Sequence, residues 1–285
     1  MFRRTFPLSL VLSLLFLSTL VATAQTAKLT ASQVVDKNVA ARGGAQAWKA
    51  VQTISWSGKL DAGAGDSVAR SRRFAQNQGK LAHTSRTQPN ATPDNADKEV
   101  QLPFTYEMKR PRKSRMEIEF AGKTAVQVYD GQNGWKVRPY LNRNDVEAFT
   151  ADETKAEATK ADLDGYLVDY AAKGTKVELA GMEKVEGKDA YKLKVTPKTG
   201  DTQYVWVDAQ SFLDVKVSGT PRRMDGKMHN VAIYQREFRN VQGLMVPFVL
   251  ETAVDGYRDT HKVVIEKVAV NPKLEDTLFT KPQVK

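Results

Sequence analysis

Between Tyr106 and Trp135 the chain reads YEMKRPRKSRMEIEFAGKTAVQVYDGQNGW, a series of period-two segments laid end to end with a turn signal at each junction. Met116, Ile118 and Phe120 fall on one side of an extended backbone while Glu117 and Glu119 fall on the other, the repeat of a half-buried antiparallel strand. Ala121-Gly122-Lys123 interrupts that run, and Thr124 to Tyr129 alternates again. Asp130-Gly131-Gln132-Asn133-Gly134 then supplies residues that tolerate positive φ, so the chain can reverse before Trp135. The rhythm recurs on both sides. Thr53 to Leu60 carries Ile54, Trp56, Gly58 and Leu60 on one face. Lys176–Val185, Ala190–Pro197 and Thr202–Asp208 are joined by Glu186-Gly187-Lys188 and Thr199-Gly200-Asp201. Leu213–Val217, Val231–Phe238, Leu244–Thr252 and Lys262–Val270 follow, divided by Asp225-Gly226, Val241-Gln242-Gly243 and Asp255-Gly256. Ser67–Phe74 and Lys80–Arg86 alternate weakly and suit a sheet edge; Thr87 to Lys98, with its prolines, reads as a surface loop. About eleven short strands at this spacing predict a mainly β, antiparallel barrel or sandwich.

Three stretches break the rhythm. Thr30 with Gln33 forms a capping box ahead of a helical stripe of Ala31, Val35 and Val39 that ends at Arg42-Gly43, and Ala45 to Val51 adds a further turn with Trp48 and Val51 inward. Arg143 to Lys160 is polar and alanine-rich. Leu163, Leu167 and Tyr170 then recur at helical spacing up to Lys173-Gly174, which predicts the longest helix of the chain. Set between two groups of strands, that helix has the concave face of the sheet to pack on, as a movable lid or as a fixed plug.

Residues 1–24 carry Arg3 and Arg4, an apolar run from Leu8 to Val21 and the small-x-small end Ala22-Thr23-Ala24, the pattern of a secretory signal peptide. Arg3-Arg4-Thr5-Phe6 partly matches a twin-arginine signal, but the strongly apolar core favours export of an unfolded chain. Cleavage after Ala24 would leave residues 25–285 as one domain in the periplasm, with no cysteine there to carry a lipid anchor. The absence of cysteine also excludes disulfides and thiolate metal sites, so stability must come from a core. The formal net charge of +10 favours anionic surfaces, yet no aromatic-interleaved basic motif marks a nucleic-acid module.

Catalytic constellations are scarce. His83, His229 and His261 stand apart in no metal-binding spacing; there is no G-x-S-x-G elbow and no phosphate-cradling glycine loop. Glu117 and Glu119 share a strand face, and a solvated surface accounts for them better than a paired acid and base. No catalytic residue, metal or cofactor is assigned. Apolar residues do appear on both faces of one strand, Val205 and Val207 against Tyr204 and Trp206, which a sheet wet on one side would not need.

Lys109-Arg110-Pro111, then Tyr129-Asp130-Gly131 and Trp135, then Tyr204 to Asp208 (YVWVD) and the closing Asn271-Pro272, Leu274 and Leu278-Phe279 resemble, in that order, the LolA/LolB-like family of periplasmic lipoprotein carriers. The resemblance implies an open, unclosed antiparallel barrel with helices over its mouth. It also implies that Arg110 bonds to the lid, here represented by Leu163, Leu167 and Tyr170. Where family members can carry a bulky aromatic four residues after this arginine, the chain has Ser114. The implied function is a carrier or chaperone for acyl chains of lipoproteins or lipids, working as a monomer between membrane-associated donor and acceptor proteins. Trp56, Tyr129, Trp135, Tyr204, Trp206 and Phe248 are the expected cavity lining. A sensory or regulatory binding module of the same fold, and an envelope hydrolase, are the other readings.

Overall fold

The computed structural model describes residues 29–61, 100–139, 142–198 and 201–283. The expected signal peptide, the segments Ser67–Phe74 and Lys80–Arg86 and the loop Thr87–Lys98 read from the sequence, and His83 lie outside them. Thirteen strands form one sheet: β1 (Thr53–Asp61), β2 (Gln101–Lys109), β3 (Lys113–Phe120), β4 (Lys123–Tyr129), β5 (Gly134–Arg138), β6 (Arg143–Ala148), β7 (Lys176–Val185), β8 (Lys188–Thr196), β9 (Gln203–Asp208), β10 (Asp214–Met224), β11 (Lys227–Val241), β12 (Leu244–Val254) and β13 (Thr260–Val270). Every neighbouring pair is antiparallel. Among the described residues the sheet is two meanders in sequence order, β1 to β6 and β7 to β13, joined where β1 pairs with β13. Its free edges are β6 and β7, which do not pair, so the barrel stays open.

Two expectations need correction. Among the described residues the strands number thirteen, against about eleven expected, and β6 is one that patterning missed: Arg143-Asn144-Asp145-Val146-Glu147-Ala148 is polar and largely exposed, as a sheet edge can be. The predicted helix over Leu163 to Tyr170 is instead a succession of turns. Gly165 and Asp169 adopt φ of 73° and 52°, left-handed values that a continuous α-helix cannot contain. The helix lies just upstream, α3 (Ala151–Lys160), opened by a Thr150–Glu153 capping box. Before the sheet come α1 (Ala31–Ala41), with the expected Thr30–Gln33 box, and α2 (Ala45–Ala50).

Residues paired across antiparallel strands share a face, so the register sorts the two sides. On one side run Trp56, Tyr106 and Met116, and farther round Leu193, Val205, Val217 and Ile233. The helices and the turn segment cover this side. Trp48, Leu163 and Val168 pack with Ile54, Phe104, Met108 and Phe248, while Val34, Val35 and Leu167 pack with Leu193, Val195, Val205 and Val207. The opposite, convex side has smaller clusters: Val128 with Leu274 and Phe279 of the closing 3-10 turn, and Val185 and Ala190 with Trp206.

Candidate functional site

Under the helices the sheet encloses a hollow of about 390 Å3. Its wall comes from both meanders: Ile54 and Trp56 of β1, Phe104, Tyr106 and Met108 of β2 and Met116 of β3 face Val217, Ile233, Val246, Leu250 and Val263 of β10 to β13. Alternation puts these side chains inward, and the strand order brings residues almost two hundred positions apart onto one concave surface. Phe149, α3 and the turn segment around Leu163 and Tyr166 close the mouth. A wider groove of about 840 Å3, bordered by Trp135, Phe149, α3, Lys173 and Lys198, runs along the gap between the two sheet edges.

The cover is fastened by charge. Arg110, just past the end of β2, presents two guanidinium nitrogens to the Asp164 carboxylate, Nη1 donating to Oδ2 at 3.2 Å and Nη2 to Oδ1. Its remaining donors reach the backbone below, Nε to the Val51 carbonyl at 2.6 Å and Nη2 to the Trp48 carbonyl at 2.9 Å. One side chain thus ties the turn segment to α2 and the start of the sheet, a use of the rigid fork that a lysine could not reproduce. The Asp164 carboxylate is only 5 % exposed, and Lys173 Nζ lies 3.5 Å from it while bonding Asp162 at 2.9 Å. Arg42 donates to the Asp164 carbonyl at 3.1 Å and stacks over Trp48.

Helix α3 has its own ties. Glu157 projects into the hollow, where its carboxylate accepts from Ser114 Oγ at 2.7 Å and from the Tyr106 hydroxyl at 3.3 Å. Burial, and then the neighbouring Glu157 charge, hold the Tyr106 phenol well above its usual pKa, so it remains a donor. At the start of α3, Glu153 pairs with Lys136 of β5. Burial would raise the Glu153 carboxyl, but hydrogen bonds from Lys136 and Thr150 outweigh it and the group titrates below the ordinary carboxylate range.

Of the aromatic residues expected to line one cavity, Trp56 borders it. Phe248 is on the same face and packs with Ile54 and Phe104, outside the residues that border the hollow. Tyr129 shares its face with Ser114 but is buried, its hydroxyl donating to the Gly131 carbonyl at 2.9 Å. Trp135 pairs with Val128, packs toward Leu278 and borders the outer groove. Tyr204 and Trp206 stand on the convex side, which corrects their assignment to the hollow. There Lys192 and Lys216 lie over the Trp206 ring at 5.3 and 4.3 Å, and Trp206 Nε1 donates to Glu183 at 2.7 Å. Leu163 borders the hollow, and Leu167 and Tyr170 pack on the cluster under α1. Sequence reasoning missed Asp164 and Glu157; the Thr150-x-x-Glu153 box was the signal that could have located α3.

Chemically, the site offers apolar surface and a few polar groups already engaged with one another. His229 Nδ1 lies 2.9 Å from the Asp255 carbonyl, far from the hollow in the fold's register, and no group of three His, Cys, Asp or Glu among the described residues could hold a metal ion. No protein-family model matches the sequence, and no curated protein matches it either. Solved structures do match. A LolA superfamily protein from Nitrosomonas europaea superposes with a TM-score of 0.53 at 15 % identity, over 89 % of this chain and 99 % of that one. The fold is LolA-like. A putative outer membrane lipoprotein-sorting protein domain from Vibrio parahaemolyticus shares the LolA-like fold with a TM-score of 0.51 at 11 % identity, over 88 % and 96 % of the two chains. A DUF1329 family protein from Desulfovibrio piger does so with a TM-score of 0.54 at 13 % identity, over 89 % and 98 %.

Proposed function

We propose that this protein is a periplasmic carrier or chaperone that shelters the acyl chains of a lipoprotein or lipid in the hollow, for transfer toward the outer membrane. The observation that carries this reading is an apolar hollow of about 390 Å3 beneath a cover that ion pairs fasten alongside the packing of Leu163, Leu167 and Val168. That volume falls within the roughly 300–1,000 Å3 of small-molecule sites. Binding there would draw on burial of apolar area at about 25 cal/mol per Å2, which requires neither a cofactor nor a catalytic group. Arg110 is the latch: its bonds to Asp164 hold the cover down, and their exchange for solvent releases it. The solved structures with the same fold include a putative outer membrane lipoprotein-sorting protein domain, which supports the reading. Membrane-associated donor and acceptor proteins are its partners, and the carrier acts as a monomer.

Native mass spectrometry of the exported protein purified from its host, together with titration by a fluorescent fatty acid, tests this directly. Copurifying acylated molecules and saturable probe binding are expected. A protein that emerges empty and gives no probe signal would overturn the proposal.

A further inference from the structure

Resting on the acyl-carrier reading, we propose that the Glu157 carboxylate receives a primary ammonium carried by the cargo beside its acyl chain, so that the hollow takes chains ending in an amine ahead of chains of equal length ending in an alcohol or an acid. Five charged side chains among the described residues border the hollow: Arg42, Glu157, Lys160, Asp162 and Asp214. Two of the three carboxylates have close cations of their own. Asp162 lies 2.9 Å from Lys173 Nζ, and Asp214 lies 3.6 Å from Arg42 Nε and accepts from Gln235 at 3.1 Å. Glu157 has only Lys160, whose Nζ stands 3.9 Å from Oε2 on a side chain 62 % exposed, a surface pair of little worth. The Glu157 carboxylate is nevertheless held in place from the sheet. Ser114 Oγ donates at 2.7 Å and the Tyr106 hydroxyl at 3.3 Å, and both bonds fall on Oε1. Oε2 is left as an acceptor that no hydrogen bond from the protein uses. It is not sealed in, for the buried side-chain atoms without a hydrogen-bond partner among the described residues are Asn38 Oδ1, Trp56 Nε1, Arg138 Nε and His229 Nε2. A fixed, partly screened anion beside apolar wall complements an ammonium borne on a hydrocarbon chain, and the N–H donors make that pairing charge-assisted. A hydroxyl would bond it more weakly, a carboxylate would be repelled, and a quaternary ammonium brings charge without an N–H.

The test titrates wild-type protein with dodecylamine, dodecanol, dodecyltrimethylammonium and laurate, each below its micellar concentration. Dodecylamine is expected to bind about five- to tenfold more tightly than dodecanol or dodecyltrimethylammonium, the worth of a charge-assisted hydrogen bond discounted for partial exposure, and laurate to bind more weakly than dodecanol. That ranking is read in wild type and does not depend on any variant folding. Glu157→Gln keeps an oxygen for Ser114 and Tyr106 and should bring dodecylamine to within about twofold of dodecanol. Leu250→Ala, which removes apolar wall only, should weaken all four probes alike. A diacyl phosphatidylethanolamine and a diacylated lipopeptide with a free α-amine, run in the same titrations, separate the two sources of such an ammonium, and Glu157→Gln should weaken whichever binds. Equal affinity for dodecylamine and dodecanol, a preference that survives Glu157→Gln, or binding of neither acylated amine overturns this inference while leaving the carrier reading standing. Failure of every probe to bind wild type overturns both.

Discussion

Arg110 joins three parts of the molecule with one side chain, and its environment fixes what its loss would do. The Asp164 carboxylate beneath it is 5 % exposed against 29 % for Arg110 itself, so removing the guanidinium strands a buried charge with Lys173 as its nearest remaining cation. Arg110→Leu is expected to weaken the closed state of the turn segment by about 1–3 kcal/mol, the worth of charge-assisted hydrogen bonds in a largely buried pair. Hydrogen exchange should then accelerate at Asp162 to Thr175 while the strands keep their protection; uniform acceleration across the sheet would refute a latch. Arg110→Lys keeps the charge but loses the fork and should fall between. Arg110 was legible in the sequence because it sits in a short motif beside a strand. Its partner was not, because Asp164 is 54 residues away on an irregular segment and no local pattern announces which carboxylate an arginine will meet.

The turn segment and α3 behave as one covering element, and the sequence exposed its apolar points without its backbone. Leu163 and Leu167 do face inward, but the spacing arises from turns broken by Gly165 and Asp169 in left-handed conformation, which imitate the side-chain positions of a helix. The true helix was obscured because its sequence, Ala-Asp-Glu-Thr-Lys-Ala-Glu-Ala-Thr-Lys, has no apolar stripe and none of its residues is buried. Polar ties take the place of packing there, and two predictions follow from that substitution. Thr150→Ala removes the N-cap and should cost about 1 kcal/mol, read as faster exchange confined to α3. Acid should release the same element. The Glu153 carboxyl titrates lower when paired with Lys136 than in the unfolded chain, so its contribution is complete above the unfolded value and fades as pH falls through the folded one. Protection of the α3 amides, taken relative to their intrinsic exchange rates at each pH, is expected to fall below about pH 4, near ordinary carboxyl values, and Glu153→Gln should remove the Glu153 part of that dependence. An α3 whose protection factors are the same at about pH 3.5 and pH 7 would contradict this.

At the scale of the whole molecule, the hairpin rhythm made the antiparallel strand order readable, since each turn signal ties a strand to its neighbour in sequence, while the openness of the sheet came only from the resemblance to the LolA/LolB-like family. Which side curls inward was not readable: Tyr204 and Trp206 are as apolar as Val205 and Val207, and only the packed structure shows rings and lysines stacked on the convex side. Nor does any local signal specify that β1 lies beside β13, the pairing that joins the meanders. Gly58 sits at the bulge in that seam, where a Cβ would stand 2.0 Å from the Val264 carbonyl oxygen and 2.9 Å from the Glu266 nitrogen. Gly58→Ala is therefore expected to destabilise the protein by at least about 2 kcal/mol in urea unfolding, since backbone cannot step aside as a side chain can. A variant within about 0.5 kcal/mol of wild type would show that the seam tolerates what its geometry forbids.

That seam also sets an order of events during folding. Each meander pairs strands that follow one another in the chain and can assemble by local contacts, but Thr53 must wait for residues near 270 before its second flank is occupied. Until those residues arrive, Trp56 and Leu250 belong to separate halves, and there is no enclosure for a greasy passenger to enter.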